Sequence, residues 1–180
     1  NETIKLDPNY LGAYYNRGLA WREKGDYDKA IALQPTYEDA YVNRAVLYFS
    51  RRDIKSALAD LDTAIRLNPR DVAALSNRAS VNLAIEKYAE ALSDFDRALT
   101  VDPGNAATYL GRGRAHLFSG AVDDSIEDFK TAVRLRPSNP YPVIWLHIAR
   151  VHRGESDREE FEANVKAAKR ETWPGAMLDM

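Results

Sequence analysis

Residues 70–103 read RDVAALSNRASVNLAIEKYAEALSDFDRALTVDP and residues 104–137 read GNAATYLGRGRAHLFSGAVDDSIEDFKTAVRLRP, and the two lines run in phase. Ala79 and Gly113 hold matching places in the two lines, and one step back of the same size reaches Ala45. Four more columns keep that step: Ala57, Ala91 and Ser125; Leu61, Phe95 and Phe129; Ala64, Ala98 and Ala132; Pro69, Pro103 and Pro137. A fixed period of about 34 residues means a stacked array, in which each unit buries its apolar face only against its neighbours.

The columns assign jobs to residues. Two helices approach closely where one of them presents little side chain, so Ala45, Ala79 and Gly113 on a first helix are expected to face Ala57, Ala91 and Ser125 on a second. The larger Leu61, Phe95 and Phe129 fill the space between hairpins, and each proline ends a second helix. Asp71, Asn105 and Asn139 follow those prolines and are placed to cap the next helix. The expected pairs are Asp39 to Ser50 with Ile54 to Leu67, Val72 to Ile85 with Tyr88 to Val101, and Ala106 to Ser119 with Val122 to Leu135.

The order of small, aromatic, small, large apolar, alanine and proline residues resembles the tetratricopeptide repeat (TPR) pattern, and the resemblance covers nearly the whole chain. It implies an all-α fold, a right-handed α-solenoid of about 4–5 helix-turn-helix repeats forming a single domain. Residues 36–69, 70–103 and 104–137 read as regular repeats, and 1–8 as the tail of a preceding one. Residues 9–35 form a shortened repeat, because Pro8 to Pro35 and Gly18 to Ala45 are each seven short of the period. Seven residues are close to two helical turns, so a heptad truncated or omitted near Ile31 shortens a helix without rotating its faces, and Tyr27 to Ile31 fits either the start or the end of a second helix. Residues 138–173 read as a divergent closing unit, followed by a tail at 174–180, since His147, Glu159 and Lys166 stand in the three columns that are small elsewhere.

Composition removes several function classes. A net charge of −2 provides no basic field for nucleic acid, and the arginines are spread around the period. No apolar run approaches the ~20 residues needed to span a bilayer. The absence of cysteine excludes disulfides and thiol chemistry and leaves bacterial periplasm and cytoplasm both open. There is no glycine-rich phosphate loop and no His-Glu-x-x-His run, and His147 and His152 point about 140° apart on a helix. No catalytic residue, metal site or cofactor is therefore expected.

What the resemblance implies instead is a binding surface on the first helix of each repeat. Its sixth position carries Asn16, Asn43 and Asn77, with Gly111 breaking the series. An Asn side chain matches the carbonyl and amide of an extended peptide, and the series is similar to the asparagine ladders of peptide-holding members. Neighbouring positions add Tyr15, Leu19, Val42, Val46, Phe49, Leu83, Leu110, Leu117 and Phe118, with Ser76, Ser80 and Arg114 among them. An apolar wall with a few amides suits an extended peptide or an amphipathic helix, and Arg114 is the one charged anchor candidate, for an acidic side chain or a carboxylate. The Lys and Asn pair with which chaperone-binding members clamp a terminal carboxylate pair is missing from the matching positions.

A second polar column reads as structural. Arg17, Arg44, Arg78 and Arg112 share one position and Asp60, Asp94 and Asp128 another, so Arg44 is expected to pair with Asp60, Arg78 with Asp94 and Arg112 with Asp128. His116 replaces the usual aromatic of its column, a packing role. The whole reads as a non-catalytic scaffold or adaptor for a protein or peptide partner. A homo-oligomerisation module and an accessory domain of a larger protein are the alternatives. The segment Pro137-Ser138-Asn139-Pro140-Tyr141 with Trp145 and Trp173 is similar to that following the repeats in bacterial TPR lipoproteins that act as adaptors of a periplasmic tail-specific protease.

Overall fold

The computed structural model describes residues 2–7, 9–21 and 24–167, in eleven α-helices with no strand among them. Residues 1–85 form one unit and residues 86–180 a second. The first holds α1 (Glu2–Leu6), α2 (Leu11–Trp21), α3 (Lys24–Leu33), α4 (Glu38–Ser50), α5 (Ile54–Leu67) and α6 (Val72–Ala84). The second holds α7 (Tyr88–Val101), α8 (Ala106–Phe118), α9 (Val122–Leu135), α10 (Pro140–His152) and α11 (Arg158–Ala167). Pro8 and Trp173 lie outside the described residues.

The expected helix ends hold to within a residue because caps and turns define them chemically. Asp71 accepts hydrogen bonds from the backbone N–H groups of Ala73 and Ala74, Asn105 from Thr108 and Asn139 from Tyr141, each satisfying donors that the first turn leaves orphaned. At the other end, three hairpins close alike. Asp53 N–H donates to Tyr48 O, Ala121 to His116 O and Glu155 to Arg150 O, five residues back. The residue before each of these donors, Arg52, Gly120 or Gly154, has a positive φ of 63°, 89° or 82°. Glu86, at φ 61°, falls in the same column in the second unit. This left-handed column was legible only at its two glycines.

Packing follows the small columns with one change. In the first unit Ala45, Ala57, Leu61 and Val81 form a closed cluster flanked by Tyr48, Phe49, Ile54 and Leu58. In the second, Ile126, Phe129, Leu146 and Ala149 do the same, with Leu110, Leu117, Val122, Val133 and Trp145 around them. Gly113 is small because of Phe129, not because of Ser125 alone: a Cβ there would sit 2.6 Å from a Phe129 ring carbon. Gly111 answers Phe95 in the same way, also at 2.6 Å, which explains why the asparagine series stops there. Fully burying each phenylalanine stabilises its unit by roughly 1.5–3 kcal/mol.

The first hairpin is short in both helices. α2 has 11 residues and α3 has 10, against 13 and 14 in α4 and α5. Arg17 bonds Asp26, nine residues on, whereas Arg44 bonds Asp60, sixteen on. Tyr27 is buried against Gly18, so Asp26 onward keeps the register of Asp60 onward. The deficit falls between Gly18 and Asp26, ahead of Ile31. At the far end, α11 has 10 residues and buries none. His147 holds it through a 2.6 Å contact from Nδ1 to Asp157 and a stacked Phe161 ring.

Candidate functional site

An arginine ladder runs along each unit between helices and explains one polar column. Arg44 donates from Nε and Nη2 to Asp60 at 2.7 Å and from Nη1 to Asp28 at 2.6 Å. Arg112 repeats this with Asp128 at 2.9 and 2.7 Å and with Asp96 at 2.6 Å. The bidentate bonds to Asp60 and Asp128, more than burial opposes them, hold both guanidinium pKa values above their ordinary range. Each arginine thus joins its own hairpin to the one before it, as Arg78 also does with Asp62 at 2.7 Å. The backward bonds were not expected from the sequence, although Asp28, Asp62 and Asp96 recur at the period of the other columns. Arg78 and Asp94 belong to different units, and their pairing stays an expectation.

The expected partner-binding residues divide by burial. Leu19, Val46 and Phe118 are exposed at 43%, 44% and 48%, and Asn16 and Ser80 face solvent. Val42 and Leu83 are buried, and Phe49 and Leu110 pack beside the two cores. These four are walls of the interior. Asn43 and Asn77 are half-buried, and each donates from Nδ2 to the carbonyl four residues earlier, Asp39 at 2.8 Å and Ala73 at 2.9 Å. Their Oδ1 atoms keep no hydrogen bond among the described residues. Asn43 also donates to the Tyr15 hydroxyl at 3.1 Å, which places Tyr15 against Tyr37 and Tyr27. Burial pushes the Tyr15 phenol upward and takes Tyr37 to about 12.

Arg114 differs from every arginine of the ladder. It stands in the column of Leu19, Val46, Ser80 and Ile148, not in that of Arg112. Its guanidinium lies over the Trp145 ring at 5.1 Å, and its Nε is buried with no hydrogen-bond partner. Among the described residues no carboxylate pairs with it, and burial alone lowers its pKa. Trp145 in turn stacks on Phe129 at 6.2 Å and meets Phe118 edge-on at 5.8 Å. The sequence offered Trp145 as part of the aromatic closing segment. Its place in the column of Asn43, Asn77 and Gly111 was the signal that it also belongs to the first-helix face. Among the described residues no group of His, Cys, Asp or Glu side chains is arranged to hold a metal. No helix among them is long and apolar enough to cross a membrane.

The comparisons agree with the repeat fold. No curated protein sequence matches the chain. In solved structures, MamA (residues 41 to end) from Desulfovibrio magneticus RS-1 is similar over 92% of this chain and 93% of that one, with a TM-score of 0.73 at 19% identity. The second TPR domain of human RPAP3, in complex with the HSP70 peptide SGPTIEEVD, is 26% identical over 61% of this chain and 92% of its own, with a TM-score of 0.59. The first TPR of Spaghetti (RPAP3), bound to the HSP90 peptide SRMEEVD, matches 66% of this chain and 94% of its own at 19% identity and TM-score 0.64. The tetratricopeptide repeat family model matches residues 1–41, 42–106 and 83–140, and the chain belongs to that family.

Proposed function

We propose that the chain is a non-catalytic scaffold whose first-helix faces bind a segment of a partner protein. One observation carries the reading. Of the nine large apolar residues exposed among the described ones, six lie on first helices: Leu19, Val46, Phe118, Tyr141, Ile148 and Val151. The second helices α5, α7 and α9 expose none of their large apolar residues apart from Leu67 at the last position of α5. Exposed apolar side chains set among the half-satisfied amides of Asn43 and Asn77 offer both burial and backbone hydrogen bonds to an extended guest. The peptide held by the RPAP3 domain supports this reading by likeness. Because the side chains are fixed by packing beneath them, the scaffold loses little entropy on binding.

The test is capture of partner by the intact chain and by a variant carrying Asn43→Ala, Val46→Asp and Asn77→Ala. Loss of the captured proteins from the folded variant is expected; equal capture overturns the reading. The narrower role of adaptor to a periplasmic tail-specific protease rests on the aromatic closing segment alone. Binding of such a protease to the chain in a purified mixture is its test.

A further inference from the structure

In the second unit, α8 and α10 share a face that joins exposed apolar side chains to a cation with no counter-ion among the described residues. Tyr141, Trp145 and Ile148 fall at i, i+4 and i+7 on α10 and form one stripe, with Tyr141 54% and Ile148 42% exposed. Phe118 on α8 adds a further exposed ring against Trp145. Arg114 lies in the midst of this apolar surface, over Trp145, with a donor that nothing satisfies. A half-desolvated cation without a counter-ion is costly; its Nε is buried, and a carboxylate brought to the outer guanidinium nitrogens regains the charge pairing. On α10, Tyr141 stands four residues before Trp145, over which the guanidinium lies, and Ile148 three residues after it, while Phe118 meets the Trp145 ring from α8. The occupant therefore continues past its carboxylate in both directions.

Resting on the scaffold reading above, we propose that this face is a receptor for an acidic side chain flanked by large apolar residues within a partner polypeptide. Arg114 takes the carboxylate, the Trp145 ring orients the guanidinium, and Phe118, Tyr141 and Ile148 receive the flanking residues. An arginine suits this work because its planar fork can stack on a ring and still offer an edge of donors.

The test uses three fluorescein-labelled synthetic peptides and the full chain in anisotropy titrations. The first is Ser-Leu-Leu-Glu-Leu-Leu-Ser with an amidated end, the second replaces Glu by Gln, and the third is Ser-Leu-Leu-Leu with a free carboxylate end. The Glu peptide is expected to bind about tenfold more tightly than the Gln peptide. Arg114→Gln brings the ratio close to one, while Phe118→Ala weakens both seven-residue peptides alike. Retained circular dichroism keeps the Arg114→Gln result interpretable. Equal binding of Glu and Gln peptides, a preference that survives Arg114→Gln, tighter binding of the free-ended peptide, or no binding to the intact chain each overturns the receptor. Loss of capture in the Asn43, Val46 and Asn77 variant, which leaves Arg114 untouched, would still stand for the scaffold reading.

Discussion

Helix α8 carries two arginines, two residues apart, in opposite surroundings. Arg112 faces its neighbouring second helices and spends its donors on Asp96 and Asp128, whereas Arg114 faces outward over Trp145 with a buried donor unmatched. The same residue type is mortar on one side of the helix and receptor on the other. What separates them is the supply of carboxylates: the repeat places Asp96 ahead of Arg112 and Asp128 behind it at equal spacing, and the described residues place none at Arg114.

Four substitutions break or sharpen this contrast. Arg112→Met leaves the buried Asp128 carboxylate without its bidentate partner and should lower unfolding stability by about 3 kcal/mol in urea titrations. A loss below about 1 kcal/mol would mean that the ladder is decorative. Gly113→Val, between the two arginines, drives a side chain into the Phe129 ring and should cost about 2 kcal/mol, read as a lower thermal midpoint. Asp96→Ala removes the partner of Arg112 that is 60% exposed, so calorimetry should find a loss of only about 0.2–1 kcal/mol. Smallest of all is Arg114→Met, where relief of the unmet donor and loss of the tryptophan contact nearly cancel. Its stability should stay within about 1 kcal/mol of the parent. A large loss there would show Arg114 to be mortar as well.

Much of this fold was readable because its columns have a direct physical meaning. Ala45 and Ala57 mark a close crossing, Asp71 and Asn105 mark helix starts, and Arg112 with Asp128 marks a bridge, each within one hairpin. What escaped lies between hairpins or depends on backbone conformation. The bonds of Arg44 to Asp28 and of Arg112 to Asp96 need the stacking register, which the sequence of one hairpin does not contain. Arg52 and Glu86 occupy a left-handed turn position with side chains that do not advertise it. The heptad deficit was ambiguous because Tyr27 to Ile31 fits either end of a second helix. Only the Arg17 bond to Asp26 and the packing of Tyr27 under Gly18 choose between them. The candidate site was legible by column, not by depth. Val46 and Val42 belong to the same expected face, yet one is 44% exposed and the other 6%.

The central claim is that partners meet the first helices and not the second. Photo-crosslinking with benzoylphenylalanine tests it most directly, with the probe placed at exposed Val46 on α4 or at exposed Arg66 on α5 and the chain incubated in a native extract. A partner band from Val46, absent from Arg66, is the outcome this account predicts. Crosslinking of the same partner from Arg66, with none from Val46, would contradict it.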